Sequence, residues 1–310
     1  MTRVRRQHLL PISLLVIVAH AAAATTAASA PQGLVLADAE RFAALLDQPG
    51  LPSAAALQAA YLDPGSPGVR IFTPHRIRNA STLAAAVAAE PQAYRRAVQL
   101  CLPVARQLQD EAARIGSRIS ALLGATAPAP AYVVLGAGNS GGTADAEGLV
   151  LGLEVICREA KDRQDAEQLL KGFVAHELVH VHQERAGTPQ STSDLLRQSL
   201  VEGFADYVMT LAAGGTAGAE GERRRYGQAH EPALWRAFRA AVDRGQGLAG
   251  WLYSPATAPG RPPDMGYWIG MRICEAYVAR APDRAQALQT LLQLRDPRRI
   301  LQDSGYGRDW

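Results

Sequence analysis

The chain has 310 residues, of which 48% are hydrophobic and 20% are charged, a balance typical of a soluble globular protein with a sizeable core. The formal charge of +3 comes from residues 1–30, which contain three arginines and no acid. Subtracting these three from the 32 basic residues leaves 29, equal to the 29 acidic residues. A near-neutral mature chain lacks the basic surface that nucleic acids require, so no nucleic-acid partner is expected.

The first thirty residues have the pattern of a secretory signal peptide. Three arginines within the first six residues precede an apolar run from Leu9 to Ala19, and small residues follow up to Ala30. The run is short for a bilayer span, which needs about 20 residues, although an uncleaved anchor is the alternative. No Cys lies near the cleavage region to carry a lipid. We therefore expect a periplasmic or secreted protein with no stable membrane association after cleavage.

Residues 31–125 predict a helical N-terminal lobe, because Ala and Leu recur there at steps of three and four. Pro91 suits the first turn of a long helix, and Pro103 either kinks that helix or divides it into two. The lobe could be a removable propeptide, but an integral part of the mature fold is the favoured interpretation.

Two apolar segments follow, Ala131–Leu135 and Leu149–Ile156, both bounded by glycine. They predict two antiparallel strands joined by a long turn over Gly136–Gly148. The turn lacks the lysine-containing pattern of a phosphate-binding loop, so a nucleotide site is not expected. Asn139 and Thr143 could shape the approach of a substrate, although turn chemistry explains them equally well. Glu154 either marks the strand end near a cleft or is an exposed strand residue.

The rest of the chain predicts four helices separated by Gly- and Pro-rich loops, and Ser193 is the expected cap of the second. The fold class is thus α+β and mainly helical, with a small antiparallel sheet and residues 126–310 as the main domain. The predicted helices are 165–185, 194–213, 231–244 and 265–280, with a loop over Gly214–Gly221.

The first of these helices contains His176-Glu177-Leu178-Val179-His180. Histidines at positions i and i+4 lie on one face of a helix, which is the geometry that two zinc ligands need. Glu177 lies beside the same face, where a carboxylate can reach a metal-bound water. The alternative is a chance match, with two solvated histidines on a polar helix face.

The next predicted helix offers a third ligand. Glu202 follows His180 by 22 residues, and two antiparallel helices would bring it back across both histidines. Asp206 lies one turn further on the same face, where it can accept the other ring N–H of a liganding histidine. Gly203 removes side-chain bulk where the two helices approach. The pattern predicts one zinc ion per chain, bound by two imidazoles and a carboxylate.

These motifs resemble the gluzincins, zinc metallopeptidases with H-E-x-x-H and a downstream glutamate ligand. The chain is similar, over most of its mature length, to a bacterial family of predicted exported zinc-dependent proteases. The resemblance implies a zincin-like fold, with an antiparallel edge strand above the active-site helix for an extended peptide or protein substrate. The segments that carry it are 61–68, 139–143, 148–154, 176–180, 201–206 and 266–270.

The expected reaction is peptide hydrolysis with Glu177 as the general base. The oxyanion needs a donor, for which Tyr267, His230 and Arg272 are candidates. Tyr267 is favoured because it opens a helix after a Pro-rich loop, although a tyrosine packed at a helix start is the alternative. His182 is excluded as a ligand, because it points roughly 160° away from His180 around the helix.

Two other functions remain open at this point. One is a non-catalytic exported zinc-binding module, and the other is a zinc amidase that acts on cell-wall material. A closed structural site would need a fourth protein ligand, which the sequence does not clearly offer. The three cysteines, Cys101, Cys157 and Cys274, predict either one disulfide with one free thiol or three buried thiols.

Overall fold

A computed structural model describes residues 33–125, 129–214, 218–255, 260–308 and 310. The predicted signal peptide, residues 1–30, lies outside this part of the chain. The described residues form a mainly helical α+β fold with one four-stranded sheet, which confirms the predicted fold class. None of the helices in these ranges is long and apolar enough to cross a membrane.

Most of the described chain is helical, and the four strands are short. The strands are β1 Leu34–Val35, β2 Ala131–Val134, β3 Gly142–Ala144 and β4 Leu149–Gly152. The helices are α1 Ala37–Leu46, α2 Ala54–Leu57, α3 Pro67–Phe72, α4 Ala80–Ala89, α5 Pro91–Arg96, α6 Leu102–Gln107, α7 Gln109–Leu122, α8 Leu153–Glu159, α9 Arg163–Arg185, α10 Leu195–Ala213, α11 Gly218–Asp243, α12 Met265–Arg280, α13 Arg284–Gln293 and α14 Pro297–Ser304. Short π-helical segments lie at Gln58–Leu62, Thr73–Ile77 and Ala97–Cys101.

The sheet has the strand order β1-β2-β4-β3 and is mixed. β2 and β4 pair in parallel, with Tyr132 opposite Val150, so the prediction of two antiparallel strands is wrong. The segment predicted as a long turn contains β3, which pairs antiparallel to β4, with Thr143 opposite Val150. Because β3 reverses the chain once more between β2 and β4, those two strands run in the same direction. β3 forms the sheet edge.

The second apolar segment is a strand only as far as Gly152, and α8 begins at Leu153. Glu154 therefore lies on a helix and is fully buried, so its interpretation as an exposed strand residue is wrong. Its carboxylate accepts hydrogen bonds from the backbone N–H groups of Gly136, at 3.0 Å, and Gly138, at 3.1 Å. Glu154 thus holds the turn that leads into β3.

Residues of the predicted N-terminal lobe are bonded directly to this sheet. β1 pairs with β2 in parallel, and Tyr61 donates to the Leu135 carbonyl at 2.8 Å while accepting from the Leu135 N–H at 2.9 Å. Tyr94 donates to the Gly136 carbonyl at 2.8 Å. The lobe boundary near residue 125 stays a prediction, but residues on both sides of it build one sheet.

The cysteines follow the first of the two predicted alternatives. Cys101 and Cys157 form a disulfide that links the π-helical segment before α6 to α8, and Cys274 is a buried free thiol. Pro103 lies in the first turn of α6, which continues directly from the π-helical segment, and the long predicted helix is divided only at Leu108, before α7.

Three helices, α9, α10 and α12, carry the residues of interest. Asp162 caps α9 by accepting from the Asp165 N–H, and Asp194, not the predicted Ser193, caps α10 by accepting from the Arg197 N–H. A Cβ atom on Gly203 would lie 2.1 Å from the Met271 nitrogen. Gly203 therefore permits backbone contact between α10 and α12, and the prediction that it faces α9 is wrong.

The helix α11 starts well before its predicted position and bends in the middle. It spans Gly218–Asp243, with non-helical φ and ψ angles at His230, two residues before Pro232. Pro232 cannot donate the backbone hydrogen bond that a straight helix needs there. The predicted loop over Gly214–Gly221 is accordingly shorter, and residues 215–217 lie outside the described ranges.

Candidate metal centre

Two imidazole nitrogens and one carboxylate oxygen meet between α9 and α10. His176 Nε2 lies 3.0 Å from His180 Nε2, and Glu202 Oε2 lies 3.3 Å from each of these nitrogens. The two histidines are one turn apart on α9, as their spacing predicts, and α10 brings Glu202 across them. His176, His180 and Glu202 are the one group of metal-ligand type found among the described residues.

The triangle of ligand atoms fits a small tetrahedral cation. Zinc binds imidazole nitrogen and carboxylate oxygen at about 2.0–2.1 Å, so adjacent corners of its tetrahedron are about 3.3 Å apart. The three edges of the triangle, 3.0, 3.3 and 3.3 Å, match that spacing. Two nitrogens and one oxygen are also the donor set of catalytic zinc sites, which leave a fourth position for water.

Each histidine is oriented by a hydrogen bond at its other ring nitrogen. His176 Nδ1 lies 2.9 Å from Asp206 Oδ1, and His180 Nδ1 lies 2.7 Å from Gln183 Oε1. A carboxylate and an amide oxygen can only accept, so both Nδ1 atoms carry the proton. This tautomer leaves the lone pair of each Nε2 directed at the shared centre, as a metal ligand requires.

The Glu202 carboxylate is held at its second oxygen. Tyr253 donates a hydrogen bond from its hydroxyl group to Oε1. Gln198 Nε2 lies 3.3 Å from the same oxygen and donates to the Tyr253 hydroxyl at 2.9 Å. Glu202 itself is buried, with 6% of its surface exposed. Its Oε2 is thereby left to face the histidines.

The charges of the site compensate one another. Burial opposes a charge on His176, but hydrogen bonds to Asp206 and Glu202 outweigh it and raise the pKa of the imidazole to about 10. Burial would raise the pKa of Glu202, but the adjacent histidines hold it well below its usual range. Protons and a divalent cation therefore compete for the same nitrogens.

Glu177 lies beside the triad and against the edge strand. A Cβ atom on Gly142, in β3, would lie 2.5 Å from Glu177 Oε1, so this strand passes over the carboxylate at close range. Burial raises the pKa of Glu177, the negative charge of Glu202 adds to the rise, and the positive charges of His180 and His176 oppose it. A raised pKa makes the carboxylate a stronger base near neutral pH.

A cavity of about 270 Å³ is lined by His176 of the triad and by other residues of α9. Tyr267 also lines it, with its ring stacked on His176 at a centroid distance of 6.0 Å. Arg223 contacts two of the residues that line the cavity. Its guanidinium lies 4.6 Å from the centre of the Tyr267 ring and 3.6 Å from the Asp206 carboxylate. The lining also includes Leu169, Phe173, Met209, Glu177 and Glu220.

The remaining candidates from the sequence lie elsewhere. Arg272 forms ion pairs with Glu231, at 2.6 Å, and Glu275, and His230 is exposed, with Nδ1 2.8 Å from the Tyr226 carbonyl. The structure brings neither of them to the triad.

Three other residues that the sequence raised have structural roles. His182 is buried away from the triad, and burial lowers its pKa to about 4. Asn139 donates from its side chain to the Arg76 carbonyl at 3.1 Å. Thr143 lies in β3, on the edge strand.

Sequence reasoning missed Gln183, Gln198, Tyr253 and Arg223. Helical spacing could have identified the first two. Gln183 is three residues after His180 and Gln198 is four residues before Glu202, so each shares a helix face with a ligand. Tyr253 and Arg223 reach the site from other segments, and no local spacing connects them with it.

The comparison with protein families finds one partial match. The family model described as Gliding motility protein GldB matches residues 253–308, which is under a fifth of the chain. The matched segment includes Tyr253, Tyr267 and α12 to α14, but not the histidines or Glu202. The match agrees with export, which the leader sequence predicts. No curated protein and no solved structure matches the chain.

Proposed function

We propose that this chain is an exported zinc-dependent peptidase. The observation that carries the proposal is the triangle of His176 Nε2, His180 Nε2 and Glu202 Oε2, with edges of 3.0 to 3.3 Å. Three protein ligands with an adjacent carboxylate distinguish a catalytic zinc site from a structural one, which is closed by four ligands. The likeness to a zincin remains part of the proposal.

The chemistry follows from the residues around the triangle. Zinc held there would supply Lewis acidity, lowering the pKa of a water molecule to about 7. Glu177 takes a proton from the attacking water and delivers it to the leaving amine. Tyr267, which lines the cavity and stacks on His176, is the proposed donor to the oxyanion.

The substrate is proposed to be a peptide or protein that binds in extended form. β3 is the edge strand and passes over Glu177, where an extended chain can add to the sheet. The Cys101–Cys157 disulfide suits a periplasmic or secreted location, because disulfides persist in oxidising compartments.

Metal analysis tests the first part of the proposal. Purified protein should contain about one zinc per chain, and a chelator should remove it together with peptide cleavage. A protein that neither carries zinc nor takes it up from a buffered solution would contradict the proposed site.

Glu177→Gln tests the reaction itself. The variant should retain zinc, because Glu177 is not one of the three ligands, and should lose at least about 100-fold in kcat on a peptide library. Glu167→Gln is the matched control, since Glu167 lies on the same helix and pairs with Lys171. Full activity of Glu177→Gln would exclude Glu177 as the base.

A second candidate is a non-catalytic metal-binding protein of a motility apparatus. The match of residues 253–308 to the gliding motility family is the observation that favours it. In that case Glu177→Gln would restore function in a deletion strain as well as the unchanged chain does, whereas a peptidase variant without its base would not.

A further inference from the structure

We infer that Tyr253 is a positioning residue for the metal site: its hydroxyl group fixes Glu202 so that one carboxylate oxygen faces both histidines. The inference rests on the metal site of the proposed function. It concerns how the ligand is held and not which bond is cleaved.

The hydrogen bonds around Glu202 separate the roles of its two oxygens. Oε2 lies 3.3 Å from each histidine Nε2. Oε1 points the other way and accepts from the Tyr253 hydroxyl. The other polar atom near Oε1 is Gln198 Nε2, at 3.3 Å, which is long for N–H···O. Tyr253 is therefore the group that donates a hydrogen bond to the oxygen that faces away from the histidines.

Gln198 cannot replace Tyr253 in this position, because its side chain is already committed. Its two Nε2 hydrogens go to the Gln190 carbonyl at 3.0 Å and to the Tyr253 hydroxyl at 2.9 Å. Its Oε1 accepts from the Thr192 N–H at 3.1 Å. The amide thus orients the Tyr253 hydroxyl, which donates its own proton to Glu202.

The backbone at Tyr253 has an unusual conformation. The residue is 58% exposed, yet it has φ of +54°, a left-handed conformation that a bulky residue seldom adopts. Its ring packs edge-on against Tyr267, with centroids 6.3 Å apart, so the exposed residue still points its hydroxyl group into the site. The neighbours Trp251 and Leu252 are buried and anchor the segment, and Asp264 accepts from the Ser254 N–H at 3.3 Å.

The consequence for the site is a single-oxygen ligand. With Oε1 engaged by a hydrogen bond, Glu202 offers only Oε2 to a cation, and the remaining coordination position stays open for water. Without the Tyr253 hydroxyl, the carboxylate is free to rotate and to offer both oxygens.

Tyr253→Phe removes this one hydroxyl and keeps the exposed ring. We expect zinc to bind about 10-fold more weakly by competition with a chromophoric chelator, as for other partners of metal ligands. In cobalt-substituted protein, the visible absorption should lose intensity, because coordination by both oxygens raises the coordination number. Tyr226→Phe is the matched control, since the Tyr226 ring stacks on His230, with centroids 4.0 Å apart.

The outcomes separate this inference from the proposed function. If zinc affinity and the cobalt spectrum of Tyr253→Phe equal those of the unchanged chain, Tyr253 does not position Glu202, whatever the protein cleaves. If the unchanged chain binds zinc but cleaves no peptide, the proposed function fails. The zinc affinities of Tyr253→Phe and the unchanged chain then still test the role of Tyr253. A chain that binds no zinc overturns both. Thermal unfolding of the metal-free variants checks that each is folded.

Discussion

The metal-binding helices α9 and α10 differ from the sheet edge that faces them in how far apart along the chain the supporting residues lie. The two histidines are four residues apart on one helix, and the partners Gln183, Gln198 and Asp206 lie within four residues of a ligand on its own helix. The segment that leads from β2 to the sheet edge instead depends on Tyr61, which bonds to a residue 74 positions away, and on Tyr94, which bonds to one 42 positions away.

This difference predicts that the two regions can be perturbed separately. Helical periodicity fixes the metal ligands, so they should persist when the sheet edge is loosened. The strand over Glu177 pairs with the nearby β4, but the segment that leads into it is bonded to residues from the first third of the chain. Substitutions at the sheet edge should reduce stability and substrate binding, whereas substitutions among the ligand partners should reduce zinc affinity.

The largest expected effect is on stability, from removal of the disulfide. Cys101 and Cys157 are 56 residues apart, and a cross-link of that span stabilises a fold by about 4 kcal/mol through the entropy of the unfolded chain. The double variant with Ala at both positions should lose about 4 kcal/mol of unfolding free energy in urea. The zinc affinity of this variant, measured under conditions in which it is folded, should change by less than about 3-fold. The disulfide lies outside α9 and α10, which carry the ligands.

The control for the disulfide is Cys274→Ala, which removes a buried thiol without a cross-link. This substitution should lower the free energy of unfolding by only about 1 kcal/mol, the effect of a small cavity. A similar loss in both variants would mean that the disulfide contributes packing and no chain constraint.

The next effect is expected at Glu154. The buried carboxylate accepts from two backbone N–H groups, and Glu154→Gln leaves both without a charged acceptor and one of them facing an amide NH2 group, which cannot accept. We expect a loss of about 3 kcal/mol in unfolding free energy and a rise in KM for peptides, since the turn before β3 loosens. Glu147→Gln, on the exposed turn between β3 and β4, should be neutral. An unchanged KM would show that the edge strand does not bind substrate.

The sequence predicts the helix pair better than the sheet edge. The metal-binding face could be predicted because His176, His180, Glu202 and Asp206 lie on two helices whose 3.6-residue period fixes which side chains share a face. Helix α12 was predicted with its observed bounds, Met265–Arg280. The roles of these residues in catalysis stay predictions, although the structure brings the four side chains together.

The rest could not be predicted, because no periodicity in the sequence marks it. β3 has three residues, Gly142–Ala144, inside a Gly- and Ser-rich segment, and only its pairing with β4 makes it a strand. For the same reason the parallel direction of β2 and β4 was missed, since two strands and one turn predict a hairpin. Tyr253 lies 51 positions from Glu202, and no local pattern in the sequence connects them.

Within the helix pair, Asp206 should matter most among the residues that contact a ligand. Its carboxylate accepts the His176 Nδ1 proton at 2.9 Å, and a charged acceptor makes the imidazole a stronger metal ligand. Asp206→Asn should weaken zinc binding by about 10- to 100-fold in a chelator competition. The unfolding free energy of the metal-free protein should change less than in the disulfide variant. Unchanged zinc affinity would contradict the orienting role.

Gln183 should show the smallest effect of the same kind, and it separates charge from orientation. It accepts the His180 Nδ1 proton at 2.7 Å, as Asp206 does for His176, but its amide carries no charge. A neutral hydrogen bond is about half as strong as a charged one, so Gln183→Met should weaken zinc binding only by about 3- to 10-fold. If Gln183→Met and Asp206→Asn cost the same, the partners act by fixing ring orientation alone. A clearly larger loss at Asp206 would show that its charge also strengthens the His176 ligand.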